Sequence, residues 1–243
     1  VIRWTIGLAS GSLPVTDGGN LYYNSGELVR SSSIDEDGKV VISYKDKNGR
    51  DILKKVSTGG TDPISHQNWM CTYYIYDIIG NLRFVLQPRA IEWLYANNWT
   101  FDAASALSSS VSREFCFLYE YDDRNRLVMK KVPGAGEVYF VYDLRDRLIM
   151  TQDANMRASS PDKWLVNKYD NLNRPTQSAF YASDQPRSFH QQSANNDANL
   201  TYPVIQPSEI LTETYYDDYT WVPGGASAVP GISSIPSRAP LSG

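Results

Sequence analysis

Apolar and polar positions alternate with period two over much of the chain, and one short polar signature interrupts the alternation at intervals. From Glu114 to Tyr121, Phe115, Phe117, Tyr119 and Tyr121 fall on one side and Glu114, Cys116, Leu118 and Glu120 on the other, which predicts a strand. The signature follows: Tyr-Asp, two free positions, a Gly, Asn or Asp, a polar residue and an apolar one. It reads Tyr76-Asp77-Ile78-Ile79-Gly80-Asn81-Leu82 and Tyr121-Asp122-Asp123-Arg124-Asn125-Arg126-Leu127. It returns as Tyr142-Asp143-Leu144-Arg145-Asp146-Arg147-Leu148 and Tyr169-Asp170-Asn171-Leu172-Asn173-Arg174-Pro175. A looser copy runs from Ile34 to Val40, and a degenerate one from Tyr44 to Arg50 has its Asp one place late.

Each part of the signature has a local physical reason. An Asp directly after a strand accepts backbone N–H bonds from residues two or three further on and closes a turn. The fifth position holds Gly80, Asn125, Asp146 or Asn173, residue types that tolerate positive φ. The apolar runs that follow, Leu127 to Met129 and Leu148 to Met150, start a return strand, so the unit is a β-hairpin built around its own turn. Pro133-Gly134-Ala135-Gly136 leaves room for little besides a reverse turn, and residues 114 to 150 read as four strands of an up-and-down meander.

The Tyr-Asp pairs are unevenly spaced, so extra length sits in insertions. Segment 88–112 predicts a short helix over Ala90 to Asn97 and then a Ser-rich stretch. Segment 151–163 is polar and loop-like, and 183–210 predicts one helical turn around Phe189 to Ala194. The expected organisation is a lead-in over 1–30, a repeat region over 31–220 and a Pro/Gly/Ser-rich tail over 221–243. The expected fold class is all-β, a curved antiparallel sheet of hairpins with short helical insertions.

Composition narrows the function classes. Hydrophobic residues at 42% and charged residues at 21% give a globular balance, which sets disorder aside as the default. Tyr outnumbers Phe by 17 to 7, which suits strands whose rings pack while hydroxyls reach polar partners. The formal net charge of −4 argues against nucleic acid as main partner. No apolar run is long enough for a membrane helix. Val1-Ile2-Arg3-Trp4 resembles neither an initiator nor a signal peptide, so the chain reads as cut from something longer.

Cys71 and Cys116 each lie five residues before a Tyr-Asp pair and so hold one register. A cross-strand disulfide needs their strands to be neighbours; buried free thiols are the ordinary alternative. His66 and His190 are too few and too isolated for a metal site, and no cofactor is implied. No nucleophile elbow, phosphate-binding loop, H-E-x-x-H or C-x-x-C occurs. The paired acids Asp122-Asp123 and Asp217-Asp218 could serve a glycosidase, but Asp122, like Asp46 and Asp77, reads as a turn cap. Cys116 between two Phe residues suits an inert core thiol better than a nucleophile partnered by His66 or His190.

Tyr-Asp followed by Gly or Asn and then Arg-Leu resembles the YD repeat of Rhs proteins, teneurins and the casing components of insecticidal toxin complexes. The longer stretches YYNSGELVRSSSIDEDGKVVISYKDKNGRDILKKV (from Tyr22), YEYDDRNRLVMKKVPGAGEVYFVYDLRDRLIMTQDAN (from Tyr119) and KYDNLNRPTQSAFY (from Lys168) resemble large Rhs-like surface proteins of Bacteroidota. The resemblance covers roughly residues 20 to 220. It implies a strip of hairpins that closes into a hollow shell, often around a toxin. The chain would then be a wall segment of a secreted or cell-surface protein, partnered by further YD repeats of its parent. The rival reading is an adhesin whose rings stack on a surface glycan, with Trp93, Trp99, Trp164 and Trp221 in or beside insertions as candidates. Arg126, Arg147 and Arg174 recur at one repeat position, and stacked hairpins would align them into a ladder of rim ion pairs.

Overall fold

A computed structural model describes residues 1–16, 21–59 and 65–216. The fold is all-β and mostly antiparallel, with four short α-helices among the described residues. The chain divides into two compact units, residues 1–141 with 151–160, and residues 142–150 with those from 161 on. Asp217, Asp218, Trp221 and the 221–243 tail lie outside the described residues.

The first unit opens with the short pair β1 (Trp4–Thr5) and β2 (Val15–Thr16). Its main sheet takes β3 (Val29–Ile34), β4 (Val40–Lys45), β5 (Asp51–Ser57), β6 (Trp69–Tyr76) and β7 (Leu82–Leu86) in chain order. Two helices follow, α1 (Pro88–Ala96) and α2 (Ser110–Phe115), before β8 (Cys116–Tyr121), β9 (Leu127–Lys131) and β10 (Val138–Tyr142) continue the order. β11 (Leu148–Gln152) and α3 (Ala154–Arg157) come next. The second unit contains β12 (Lys163–Tyr169), β13 (Pro175–Ala182), α4 (Arg187–Asn196) and β14 (Ile210–Glu213). β13 lies between β12 and β14, antiparallel to both.

The lead-in does not stand apart as a separate segment. Ile2, Trp4 and Ile6 are buried in the core of the first unit beside Tyr73, Ile75, Phe84, Leu86 and Leu118. Backbone groups that would otherwise be stranded there find side chains from the sheet. Buried Arg83 donates to the carbonyls of Tyr119 (3.0 Å) and Gly7 (3.2 Å). Glu120 accepts from the Gly11 N–H (2.7 Å) and the Ser10 hydroxyl (2.6 Å).

Several expectations need correction. β8 begins at Cys116, not at Glu114, because residues 110–115 form α2, capped by Ser109 accepting from the Ser112 N–H. The face of β8 that packs inward carries Cys116 and Leu118, while Phe117 and Tyr119 are half-buried. The reason is tertiary: the lead-in and α1 deliver aliphatic surface (Ile2, Ile6, Ile91, Leu94) to the Cys116 side. α1 starts at Pro88, whose missing N–H costs nothing in a first turn, and ends one residue before Asn97. The 183–210 insertion holds a ten-residue helix rather than a single turn. Segment 151–163 includes the end of β11 and all of α3.

Cys71 on β6 and Cys116 on β8 are both free and buried, with β7 between their strands. Burial pushes the Cys71 thiol up to about 11 and the Cys116 thiol up to about 12. Neither should react with a disulfide reagent at neutral pH until the fold opens. A fast stoichiometric reaction in native buffer would contradict their placement.

Candidate functional site

The feature repeated most often is the hairpin turn, and its geometry follows from one Asp. Six turns among the described residues begin at Asp35, Asp46, Asp77, Asp122, Asp143 and Asp170. In each, the Asp N–H donates to the carbonyl four residues on, at 2.9–3.1 Å, and its own carbonyl accepts from the N–H three residues on. The Oδ1 atom then accepts from the N–H groups two and four residues on. Asp143 does so from Arg145 (2.9 Å) and Arg147 (3.0 Å), and Asp170 from Leu172 (2.8 Å) and Arg174 (2.9 Å). The fourth residue of each turn has positive φ: Gly38 75°, Gly49 79°, Gly80 101°, Asn125 58°, Asp146 59° and Asn173 62°. Glycine accepts that region freely, and Asn or Asp at modest cost.

The degenerate copy has the same turn. Asp46 takes the first position, and the strand register shifts just before it between Tyr44 and Lys45. The same shift precedes Asp77, Asp122 and Asp170. Lys45 therefore fills the slot that Tyr holds elsewhere, and it is the Tyr that is displaced, not the Asp.

The fifth turn residue uses the second carboxylate oxygen. The Nε atoms of Arg50, Arg126, Arg147 and Arg174 donate to Oδ2 of their own Asp at 2.6–2.8 Å. Burial pushes the Asp122 carboxyl up, but the Arg126 guanidinium and the Arg126 and Arg124 amides outweigh it and hold the group below its usual range. Burial likewise opposes, and the Arg50 amide and guanidinium overcome it, at Asp46. Carboxylates with lowered native pKa stabilise the fold above the unfolded value near 4, and that stabilisation is lost as pH falls through the native values. Urea melts should therefore show the turn contribution intact at about pH 5 and shrinking below about pH 4; a contribution that grows on acidification would reverse the assignment.

The same arginines face the next Tyr of the repeat. Arg50 stands over the ring of Tyr76 (4.8 Å), Arg147 over Tyr169 (5.0 Å) and Arg174 over Tyr216 (4.3 Å). Arg147 also donates to the Asp170 carbonyl (3.2 Å) and to Asn173 Oδ1 (3.3 Å) in the following turn. In the first unit Asn81 holds the arginine slot and bonds Asn125 of the next turn at 3.1 Å. Arg50, Arg147 and Arg174 thus close their own turns and also face the tyrosine of the next Tyr-Asp copy, which the ladder of rim ion pairs did not anticipate. Arg147→Lys keeps the charge but loses the planar fork, so it should lower stability by about 1–2 kcal/mol. A chemical melt of the variant with an unchanged midpoint would count against the fork.

Sequence reasoning missed a second recurring device. Lys55 on β5 and Lys131 on β9 are buried, and each ammonium donates to a carbonyl of an insertion, Ser65 for Lys55 and Arg113 for Lys131. On β12, Lys168 does the same to the carbonyls of Thr201 and Pro203. The signal was present as Leu53-Lys-Lys-Val56 and Met129-Lys-Lys-Val132, at the same register after the turn Asp in two repeats.

Among the described residues, the ring candidates for glycan stacking are occupied by the protein. Trp164 is fully buried, leaving no face for a ligand. Trp93 and Trp99 are partly buried and packed against the core, and Trp99 meets Trp4, His66 and Tyr95 edge-on. A polar cleft of about 420 Å³ lies between the lead-in and the Asp46 turn. Its two carboxylates are already engaged, Glu27 by Arg3 and Asp46 by Arg50.

No family model matches the chain, and no curated protein matches it. Among solved structures it is similar to TcdB2-TccC3, with 20% identity over 61% of this chain and a TM-score of 0.42. It is also similar to a chain of the Photorhabdus luminescens Tc holotoxin pore carrying a TccC3 mutation, with 20% identity over 61% of this chain and a TM-score of 0.41. In both cases the matched part is 6% of the other chain.

Proposed function

We propose that this chain is a structural wall segment, a run of YD-repeat hairpins in the shell of a larger secreted or cell-surface Rhs-type protein that encloses a toxin or other cargo. The observation that carries the reading is the arginine that ends four of the six described turns. Arg50, Arg147 and Arg174 each complete their own turn and cover the tyrosine of a later Tyr-Asp copy. Such a unit makes its best contacts with another copy of itself, which suits a wall extended by repetition and gives no converging reactive groups. The sequence resemblance points the same way.

The reading is also non-enzymatic. Both thiols are buried with raised pKa values, and the carboxylates of the repeat are used as turn caps. The partners are further repeats of the parent chain. The glycan alternative loses its Trp164 platform to burial.

Imaging the full parent chain by electron cryomicroscopy tests this directly. The expected result is a closed wall in which these hairpins are flanked by other repeats, with enclosed density that resists added protease. An open particle with this segment ringing a solvent-filled cleft would overturn the proposal.

A further inference from the structure

We propose that His190 is an acid-sensitive clasp, and that protonation of its ring releases α4 and the segment after it from the second unit. The ring is fully buried. Trp164 from β12 meets it edge-on at 4.7 Å between centroids, Tyr181 from β13 at 6.1 Å, and Tyr202 from the returning segment lies tilted at 6.1 Å. Nδ1 is 2.6 Å from the Tyr202 hydroxyl, while Nε2 makes no hydrogen bond, nor does the neighbouring Trp164 indole N–H.

A neutral imidazole suits this site because Tyr202 can donate to Nδ1 and the ring then carries no charge. The imidazolium carries an N–H on both nitrogens and a full charge among aromatic rings. No carboxylate pairs with the ring. The charged groups nearby are already engaged or of the wrong sign. Lys168 on β12 gives its ammonium to the carbonyls flanking Tyr202, and Asp197 is taken up by the Thr201 and Tyr202 amides. Arg187 on α4 adds another cation. Burial pushes the ring down to about 4, against the opposing Gln185 backbone.

Gln191 bonds both the N–H (3.1 Å) and the carbonyl (2.7 Å) of Tyr142, and the helix buries His190 and Ala194. Protons bind the open state near 6.5 and the closed state near 4, so the closed form is favoured fully above the first value and loses ground as pH falls toward the second. Opening of α4 should rise about twentyfold from pH 7 to pH 5 and level off at a few hundredfold below pH 4.

Residue-resolved hydrogen exchange on the whole chain, corrected for intrinsic rates, reads this out. Protection of α4 amides should fall by that factor between pH 7 and pH 5 while β12 and β13 amides keep theirs. In His190→Gln the α4 dependence should vanish. Should that variant not fold, the wild-type ring titration followed by NMR still decides, with no titration expected until about pH 4. A ring titrating near 6.5, or strands and helix losing protection together, would overturn the clasp.

Discussion

Trp164→Ala should cost the second unit about 3–5 kcal/mol, the largest loss expected from any single truncation in it. The indole is among the largest fully buried side chains of the protein and sits between β12 and His190 of α4. Removing it takes a large aromatic surface out of the core and leaves a cavity that a rigid antiparallel pair cannot close. Against a typical domain stability of about 5–15 kcal/mol, that is enough to unfold a marginal unit. Trp164→Phe retains an edge-on ring and should cost less than half as much. Denaturant melts followed by circular dichroism compare the three; an alanine variant melting with the parent would mean the ring is not packed as described.

Asp143→Ala is expected to cost about 3 kcal/mol, well above the roughly 1 kcal/mol of an ordinary exposed cap. Asp143 is 3% exposed, and its carboxylate serves two backbone N–H groups as well as the Arg147 guanidinium. Truncation strands the two N–H groups and leaves a guanidinium whose side chain is 10% exposed without its carboxylate, held only by the Asp170 carbonyl, Asn173 and the Tyr169 ring among the described residues. Two comparisons separate the contributions. Asp35→Ala removes the same backbone bonds from an exposed turn and should cost about 1 kcal/mol. Asp143→Ala combined with Arg147→Leu should recover part of the loss, because no buried cation is then left unpaired. If Asp143→Ala and Asp35→Ala melt alike, burial of the turn contributes nothing.

The hairpin and its turn are legible in the sequence because both depend on short-range chemistry. An Asp needs only its own next four residues to cap a turn, and a Gly, Asn or Asp at the fourth place needs only its own φ. Which face of a strand turns inward is a different matter. The alternation around Phe117 gives two faces, and the choice of the Cys116 side follows from residues more than a hundred positions away, Ile2 and Ile6, laid across it. The long reach of Arg83 to Gly7 and of Glu120 to Gly11 is invisible for the same reason. The buried lysines fall between these cases: their spacing repeats openly, but a Lys-Lys pair looks solvated until the carbonyls it serves are in place. The Arg-to-Tyr contact was hidden because the signature was read within one unit, whereas the guanidinium and the ring belong to successive ones.

That last arrangement gives the strip a polarity in time. The cation comes first in the chain and the ring it covers comes later, from Arg50 to Tyr76, from Arg147 to Tyr169 and from Arg174 to Tyr216. A hairpin can seal its own bend at once, but its outward contact needs the following one in place. In these three pairs the contacts therefore run one way along the chain, from a cation already placed to a ring that follows it.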